Sequence, residues 1–194
     1  GGLINFVLKE PPSKKIDAVI RNTIGSNNQY TNFTSLGGKK NKFSFYTFYN
    51  HKRGDGFRNN SNYKSNNIYV HLKQNLSNKT ELSGEVTYMN YLAKQAGGLS
   101  DRMFIDNPMQ SNRSRNWFEL DWLLYNFKFK HRFNEKTNLS FNFFGLDAER
   151  NTVGFRTNRV DQVDPFTERD LIRGNFNNHG ICLLYTSPSP RDRS

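Results

Sequence analysis

The sequence lacks a long apolar run, and this absence excludes membrane-spanning helices. No stretch of about 18 apolar residues, the minimum for such a helix, occurs in the 194 residues. Hydrophobic residues make up 35% of the chain and the mean hydropathy is -0.83, which is poor for a large buried core. A β-barrel of the outer membrane escapes both limits, because only alternate strand residues face lipid and the lumen is wet.

Cysteine is nearly absent as well. The single cysteine, Cys182, begins the segment CLLYTSPSPRD, which resembles the translation of a sequencing-library adapter. We therefore expect residues 182–194 to be a non-native tail and leave them out of the fold prediction. Without the tail the chain has neither a disulfide nor a catalytic thiol, and its net charge falls from +11 to +10. Gly1 follows no initiator Met or signal segment, so we expect an internal piece of a longer protein.

Catalytic and metal-binding patterns are also missing. The four histidines have neither the i, i+4 spacing nor the cysteine partner of a metal site; they are His51, His71, His131 and His179. No nucleophile elbow occurs, and several carboxylates are expected in a solvated loop, namely Asp161, Asp164, Glu168 and Asp170. We therefore expect no enzyme activity, no catalytic residue, no bound cofactor and no metal ligand.

A long β-hairpin at residues 116–150 is the clearest element that the sequence does contain. Its apolar phase holds Leu123, Tyr125, Phe127, Phe129, His131 and Phe133 and, after a turn at 134–137, Leu139, Phe141 and Phe143. Its polar phase holds Asn126, Lys128, Lys130, Arg132, Ser140 and Asn142. Because alternate strand residues point to opposite faces, one face suits hydrocarbon and the other suits water. A soluble sheet with one wet face is the alternative.

Further alternating segments surround this hairpin, and the connections between them alternate in length. Short turns are predicted at 37–41, 77–79 and 134–137, and long loops at 51–65, 93–116 and from 151 onward. Outer-membrane barrels have short periplasmic turns and long extracellular loops, whereas a sandwich has no reason to keep its long loops at one end. The sequence therefore predicts about seven antiparallel strands of a transmembrane β-barrel, with even-numbered strands running toward the periplasm.

The net charge of +11 indicates an anionic partner. Lysine and arginine are spread over turns, loops and lumen-phase positions, and no block of five or six marks a basic arm. This distribution favours a wet cationic interior over a nucleic-acid-binding face, although a basic, aromatic-rich β-domain that binds nucleic acid remains an alternative. We expect no nucleic-acid partner.

Four motifs, one of them GDGFRNNSNY at residues 54–63, resemble those of TonB-dependent outer-membrane receptors of the ferric dicitrate type. The opening GGLINFVLKE is similar to the end of their plug domain, just before the barrel starts. The stretches Gly97-Gly98-Leu99-Ser100-Asp101 and Gln110-Ser111-Asn112-Arg113-Ser114-Arg115-Asn116-Trp117-Phe118 resemble segments that precede a long barrel strand in that family. The resemblance implies that residues 1–12 end a plug domain and that residues 13–181 are the N-terminal part of a barrel.

The resemblance also implies a function: active uptake of an iron chelate across the outer membrane of a Gram-negative bacterium. Energy would come through TonB and a box outside this sequence, and outer-membrane lipid and lipopolysaccharide would surround the barrel. Iron would arrive within the chelate, so no protein cofactor is implied. Arg102, Arg113 and Arg115 on the long loop are the candidate contacts for the chelate's carboxylates. A passive porin or adhesin is the alternative within the same fold.

Overall fold

The computed structural model describes residues 8–155 and 159–187, and these form one antiparallel sheet of eight strands in sequence order. The strands are β1 (Asp17–Ile24), β2 (Tyr30–Lys40), β3 (Phe43–Gly54), β4 (Tyr63–Asn75), β5 (Thr80–Lys94), β6 (Trp117–Arg132), β7 (Asn138–Val153) and β8 (Leu171–Thr186). One short helix, α1 (Asp101–Asp106), lies between β5 and β6, and Ser100 caps it by accepting a hydrogen bond from the Met103 amide. Within the described ranges no helix is both long and apolar enough to cross a membrane.

Connections at one end of the sheet are all short, and three of the four at the other end are longer. The short turns are 41–42, 76–79 and 133–137, and the other end holds 25–29, 55–62, 95–116 and 154–170. The predicted alternation of turns and loops is therefore confirmed, with changed bounds. Strands β3 and β4 extend into the predicted loop 51–65, and Gly37 to Lys40 belong to β2 instead of the turn.

The strand count of about seven was one too low. We expected loop beyond residue 151, but β7 runs to Val153 and β8 pairs with it along its whole length. The β8 ladder includes Cys182 to Thr186, which the sequence analysis assigned to a non-native tail. The predicted plug strand at the N-terminus lies mostly outside the described residues.

The register assigns every strand residue to one of two faces, because residues paired across antiparallel strands point to the same side. Face A holds the even-numbered residues of β1, β2, β4 and β5 and the odd-numbered residues of β3, β6, β7 and β8. Face B holds the others. Phe127 pairs with Phe143, and Phe129 with Phe141, so the apolar phases of the hairpin share face A as predicted.

The sheet does not enclose a compact core. Among the described residues only Tyr46, Tyr69, Ala96 and Ala148 are buried hydrophobics, whereas Phe127 is 43% and Phe143 36% exposed. A soluble sandwich of this length would bury such rings between two layers. The soluble alternative is therefore not supported by the packing.

Candidate functional site: two faces and the long-loop end

Face A carries a belt of exposed apolar side chains. Seventeen of the large hydrophobic residues that are exposed in the strands lie on it, among them Ile20, Leu36, Phe43, Ile68, Leu72, Val86, Leu123, Phe127, Phe143, Ile181 and Leu183. Of the large exposed hydrophobic residues in the described strands, only Phe144, Phe176 and Leu184 lie on face B. A continuous apolar surface of this kind marks contact with another apolar phase.

A polar row crosses face A near the long loops, and of the seventeen exposed hydrophobic residues only Ile24, Leu92 and Leu171 lie on its loop side. Paired residues on all eight strands are polar there, namely Asn22, Asn32, His51, Asn66, Asn90, Asp121, Glu149 and Asn175. Tyrosines of the belt donate hydrogen bonds into this row, as Tyr49 does to Asn66 Oδ1 at 2.9 Å and Tyr88 to Asp121 Oδ1 at 3.2 Å. Asp121 of β6 belongs to this row. The strand therefore carries acidic side chains on its otherwise apolar face because it extends beyond the apolar belt.

Face B has the opposite chemistry, because its buried polar atoms need hydrogen-bonding partners. Six strand side chains on it have a buried nitrogen or oxygen that no described residue satisfies, namely Asn50, Asn67, His71, Trp122, Asn126 and Asn142. On face A the described strand residue with such an atom is Asn151, which lies on the loop side of the polar row. Buried polar groups are almost always paired with protein or water, so face B is suited to a hydrated or polypeptide-filled space.

The segment at residues 8–15 crosses face B over β2, β3 and β4. The Lys9 ammonium lies 4.8 Å from the centre of the Tyr46 ring, and Glu10 Oε2 lies 3.5 Å from Lys73 Nζ. Pro12 packs on Gly37, where an added Cβ would meet its ring at 2.7 Å. This part of face B consequently holds the buried side chains of the sheet's first half: Ser35, Ser44, Tyr46, Tyr69 and His71.

At the long-loop end, the β3–β4 loop holds the base of the β5–β6 loop. Arg58 donates to the carbonyl oxygens of Gly97 at 2.6 Å and Gln110 at 3.0 Å, and Asn60 Nδ2 donates to that of Asn116 at 3.2 Å. Gly97 has φ of +78°, and a Cβ there would meet Arg113 Cγ at 2.5 Å. The two ends of the β5–β6 loop are therefore fixed beside each other.

Arg113 and Arg115 contact the β7–β8 loop. Arg113 is buried, donates to the carbonyl oxygen of Gln162 at 3.0 Å and lies 5.0 Å from the centre of the Phe155 ring. Arg115 donates to the carbonyl oxygen of Thr167 at 2.9 Å and forms a salt bridge with Asp164 Oδ1 at 2.8 Å. Both guanidiniums thus join two loops in this structure.

Asp164 is buried, in contrast to the solvated position that the sequence predicts for it. Its side chain is 4% exposed and accepts hydrogen bonds from Arg115, Arg169 and the Phe166 amide. Burial of the carboxyl opposes its ionisation, but the bond from the Phe166 amide and the two guanidiniums outweigh it, so the Asp164 pKa lies below its ordinary value. The predicted solvation is correct for Asp161, Glu168 and Asp170, which are exposed.

Arg102 lies apart from the other two candidate arginines. It is exposed on α1 and, among the described residues, its guanidinium has no hydrogen bond or ion pair. It lines an open cleft of about 750 Å³ with Ser100, Met103, Ile105, Asp106, Gln110 and Asp161, the last from the β7–β8 loop. The structure therefore does not bring the three predicted arginines together at one cleft. No group of three or more His, Cys, Asp or Glu in the described ranges could hold a metal ion.

Sequence reasoning missed Arg58, Asn60 and Arg169 as residues that organise this end. The polar loop that contains Arg58 and Asn60 offered no periodic signal, because its side chains bond to backbone carbonyls of a distant loop. Asn60 has φ of +55°, a left-handed conformation that asparagine adopts more readily than most residues. An asparagine in a Gly- and Asn-rich loop is a weak indication of such a position.

The fold is that of part of a transmembrane β-barrel: one ordered antiparallel sheet with an exposed apolar face and longer loops at one end. Among solved structures it is similar to the ferric citrate transporter FecA in its unliganded form. The TM-score is 0.78 and the sequence identity 19%, over 96% of this chain and 28% of the length of that one. No family model matches the sequence, and no curated protein matches it.

Proposed function

We propose that this chain is part of an outer-membrane transporter of a Gram-negative bacterium that takes up an anionic iron chelate of the ferric citrate class. The observation that carries the proposal is the contrast between the two faces: face A exposes an apolar belt, and face B collects the unpartnered polar atoms. Hydrocarbon offers no hydrogen bonds, so a strand in a membrane must direct such atoms to the other side. The fold similarity to a ferric citrate transporter supports the same assignment.

A plug-filled barrel is favoured over an open porin by the segment at residues 8–15. This segment packs across face B through Lys9, Glu10 and Pro12 and buries Tyr46 and Tyr69 beneath it. A solute pore would leave that wall open to water. We therefore propose that residues 1–12 end a lumen-filling domain and that uptake is active and energised through TonB.

For the chelate we propose Arg102 as the direct contact on this part of the protein. A guanidinium without a protein partner can form charge-assisted hydrogen bonds with a carboxylate. Arg113 and Arg115 would contribute by holding the loops that form the cleft, since their donors already bond to carbonyl oxygens and to Asp164. The iron would remain coordinated by its chelator, so no metal ligand from the protein is required.

Uptake measurements test the proposal. The complete reading frame that contains this sequence is expressed in cells that lack their own ferric citrate receptor, and radioactive iron supplied as ferric citrate is followed into the cells. We expect uptake that stops when TonB is deleted or a protonophore is added, with the protein in the outer-membrane fraction. Uptake that continues without TonB would support the passive barrel instead. Recovery of the protein in aqueous buffer without detergent would exclude both.

A further inference from the structure

Two loops at the long-loop end, the β5–β6 loop and the β7–β8 loop, are bonded directly to each other. Besides the bonds of Arg113 and Arg115, Asn112 Nδ2 donates to the Val160 carbonyl at 2.6 Å. Gly98 packs against the Val160 side chain, with an added Cβ 3.4 Å from Cγ1. Contacts between the two loops therefore include residues 98 to 116 on one side, and Phe155 and residues 160 to 167 on the other.

Asp164 is the centre of this interface. It accepts from Arg115 of the first loop and from Arg169 of its own loop, and both guanidiniums are at least partly buried. The Phe155 ring lies between two cations, 5.0 Å from the Arg113 guanidinium and 4.6 Å from that of Arg169. Removing the carboxylate would leave two neighbouring guanidiniums without their shared anion, which is costly at a buried site.

We propose that residues 95–116 and the described residues 154–155 and 159–170 act as one preassembled body, with Asp164 as the positioning residue that joins them. The cleft beside Arg102 has walls from both loops, because Asp161 lines it together with α1. Its shape then depends on the interface at Asp164, which is not itself in the cleft. The last step, that this cleft receives the chelate, rests on the proposed function; the joining of the loops does not.

Hydrogen exchange tests the joining of the loops without any ligand. Backbone amide exchange is measured on the purified protein from the complete reading frame, as wild type, Asp164→Ala and Asp161→Ala. Asp161 is the matched control, since it is an exposed carboxylate of the same loop that pairs with Arg159 two residues away. We expect Asp164→Ala to speed exchange at least tenfold in both 110–116 and 159–169, and Asp161→Ala to leave 110–116 unchanged. Unchanged exchange at 110–116 in Asp164→Ala would overturn the proposal.

A crosslink tests whether the two loops must separate during uptake. Gly98→Cys and Val160→Cys are combined in a Cys182→Ser background, because the Gly98 position lies within disulfide reach of Val160. We expect the crosslink to form on oxidation and ferric citrate uptake to stay within about twofold of the reduced form. Failure to crosslink, or a loss of uptake of tenfold or more that reduction restores, would overturn the single-body proposal.

The kinetics of Asp164→Asn separate a positioning role from a general loss of folded protein. We expect a higher half-saturating concentration of ferric citrate with a maximal rate within about twofold of wild type, because the cleft is altered and the barrel is intact. A lower maximal rate at an unchanged half-saturating concentration would overturn the positioning role. If wild-type protein takes up no ferric citrate, the proposed function fails, and the exchange experiment still decides whether the loops are joined.

Discussion

Lysine substitutions at Val86 and Thr87 would measure the difference between the two faces of the sheet. The two side chains have nearly the same shape and are neighbours in β5, but Val86 lies on face A and Thr87 on face B. On face A the belt of this strand is bounded by Thr80 and Asn90. Val86→Lys would place a charge inside that belt, whereas Thr87→Lys would place one beside Glu85 on the wet side.

The size of the effect follows from the position of Val86 in the belt. From Thr80 to Asn90 a strand rises about 34 Å, or about 26 Å along the membrane normal at a tilt of about 40°. Val86 then lies about 10 Å from one edge and about 15 Å from the other. A lysine near the midplane costs about 2–4 kcal/mol, which is roughly a 30-fold to 700-fold change in the folding equilibrium. We expect Thr87→Lys to change stability by less than about 1 kcal/mol.

Urea titration in phospholipid vesicles is the assay, with the folded fraction read from the heat-dependent shift in gel mobility. The protein is produced from its complete reading frame, because isolated strands would leave backbone groups unpaired at the sheet edges. Equal destabilisation by the two lysines, or a greater cost for Thr87→Lys, would refute the assignment of face A to lipid. That result would also remove the main support for a membrane transporter.

Three further effects are expected. Gly145→Ala should destabilise the protein by about 1–3 kcal/mol in the same titration, because the new Cβ would lie 2.4 Å from the Tyr125 ring. The loop interface at Asp164 should be intact above the ordinary aspartate pKa of about 3.9 and be lost as the pH falls through its lowered folded value, seen as faster amide exchange in 110–116. Arg102→Gln should weaken ferric citrate binding about tenfold or more, measured by equilibrium binding.

Each of these predictions has a matched comparison. Gly84→Ala adds a Cβ with no atom within 4 Å and should be neutral, so an equal loss there would mean that the packing at Gly145 is unimportant. Asp164→Asn should show no acid-dependent step, and a step that persists must come from another group. Arg159→Gln removes an exposed cation that pairs with Asp161 nearby, and an effect as large as that of Arg102→Gln would indicate a response to total charge.

Strands with one apolar phase could be predicted from the sequence, because lipid and water impose period-two alternation. Strands β6 and β7 have this pattern, and their faces were assigned correctly. The first half of β8 has no such phase: between Leu171 and Ile181 the face A residues are Arg173, Asn175, Asn177 and His179. It could not be recognised without its ladder to β7.

The turn predicted from glycines at 37–41 was wrong, because a segment distant in sequence determines the backbone conformation there. Gly37 and Gly38 resemble the start of a turn, but they lie in β2 because Pro12 and the Lys15 carbonyl pack against them where a side chain would not fit. In the loops the same limit applies to Asp164, which is buried against the Arg115 guanidinium from a loop that is far away in sequence. Such contacts have no periodic signature, so the arginines could be proposed as a group but not assigned to separate roles.

The fixed pairing between neighbouring strands also determines where this protein can gain or lose residues. One residue inserted within β5 or β6 would exchange every later side chain of that strand between the hydrocarbon and the water side. The same insertion at the tip of the β5–β6 loop, within Asp101–Asp106, would leave every ladder unchanged. Length differences among related sequences should therefore concentrate in the loops and not in the strands.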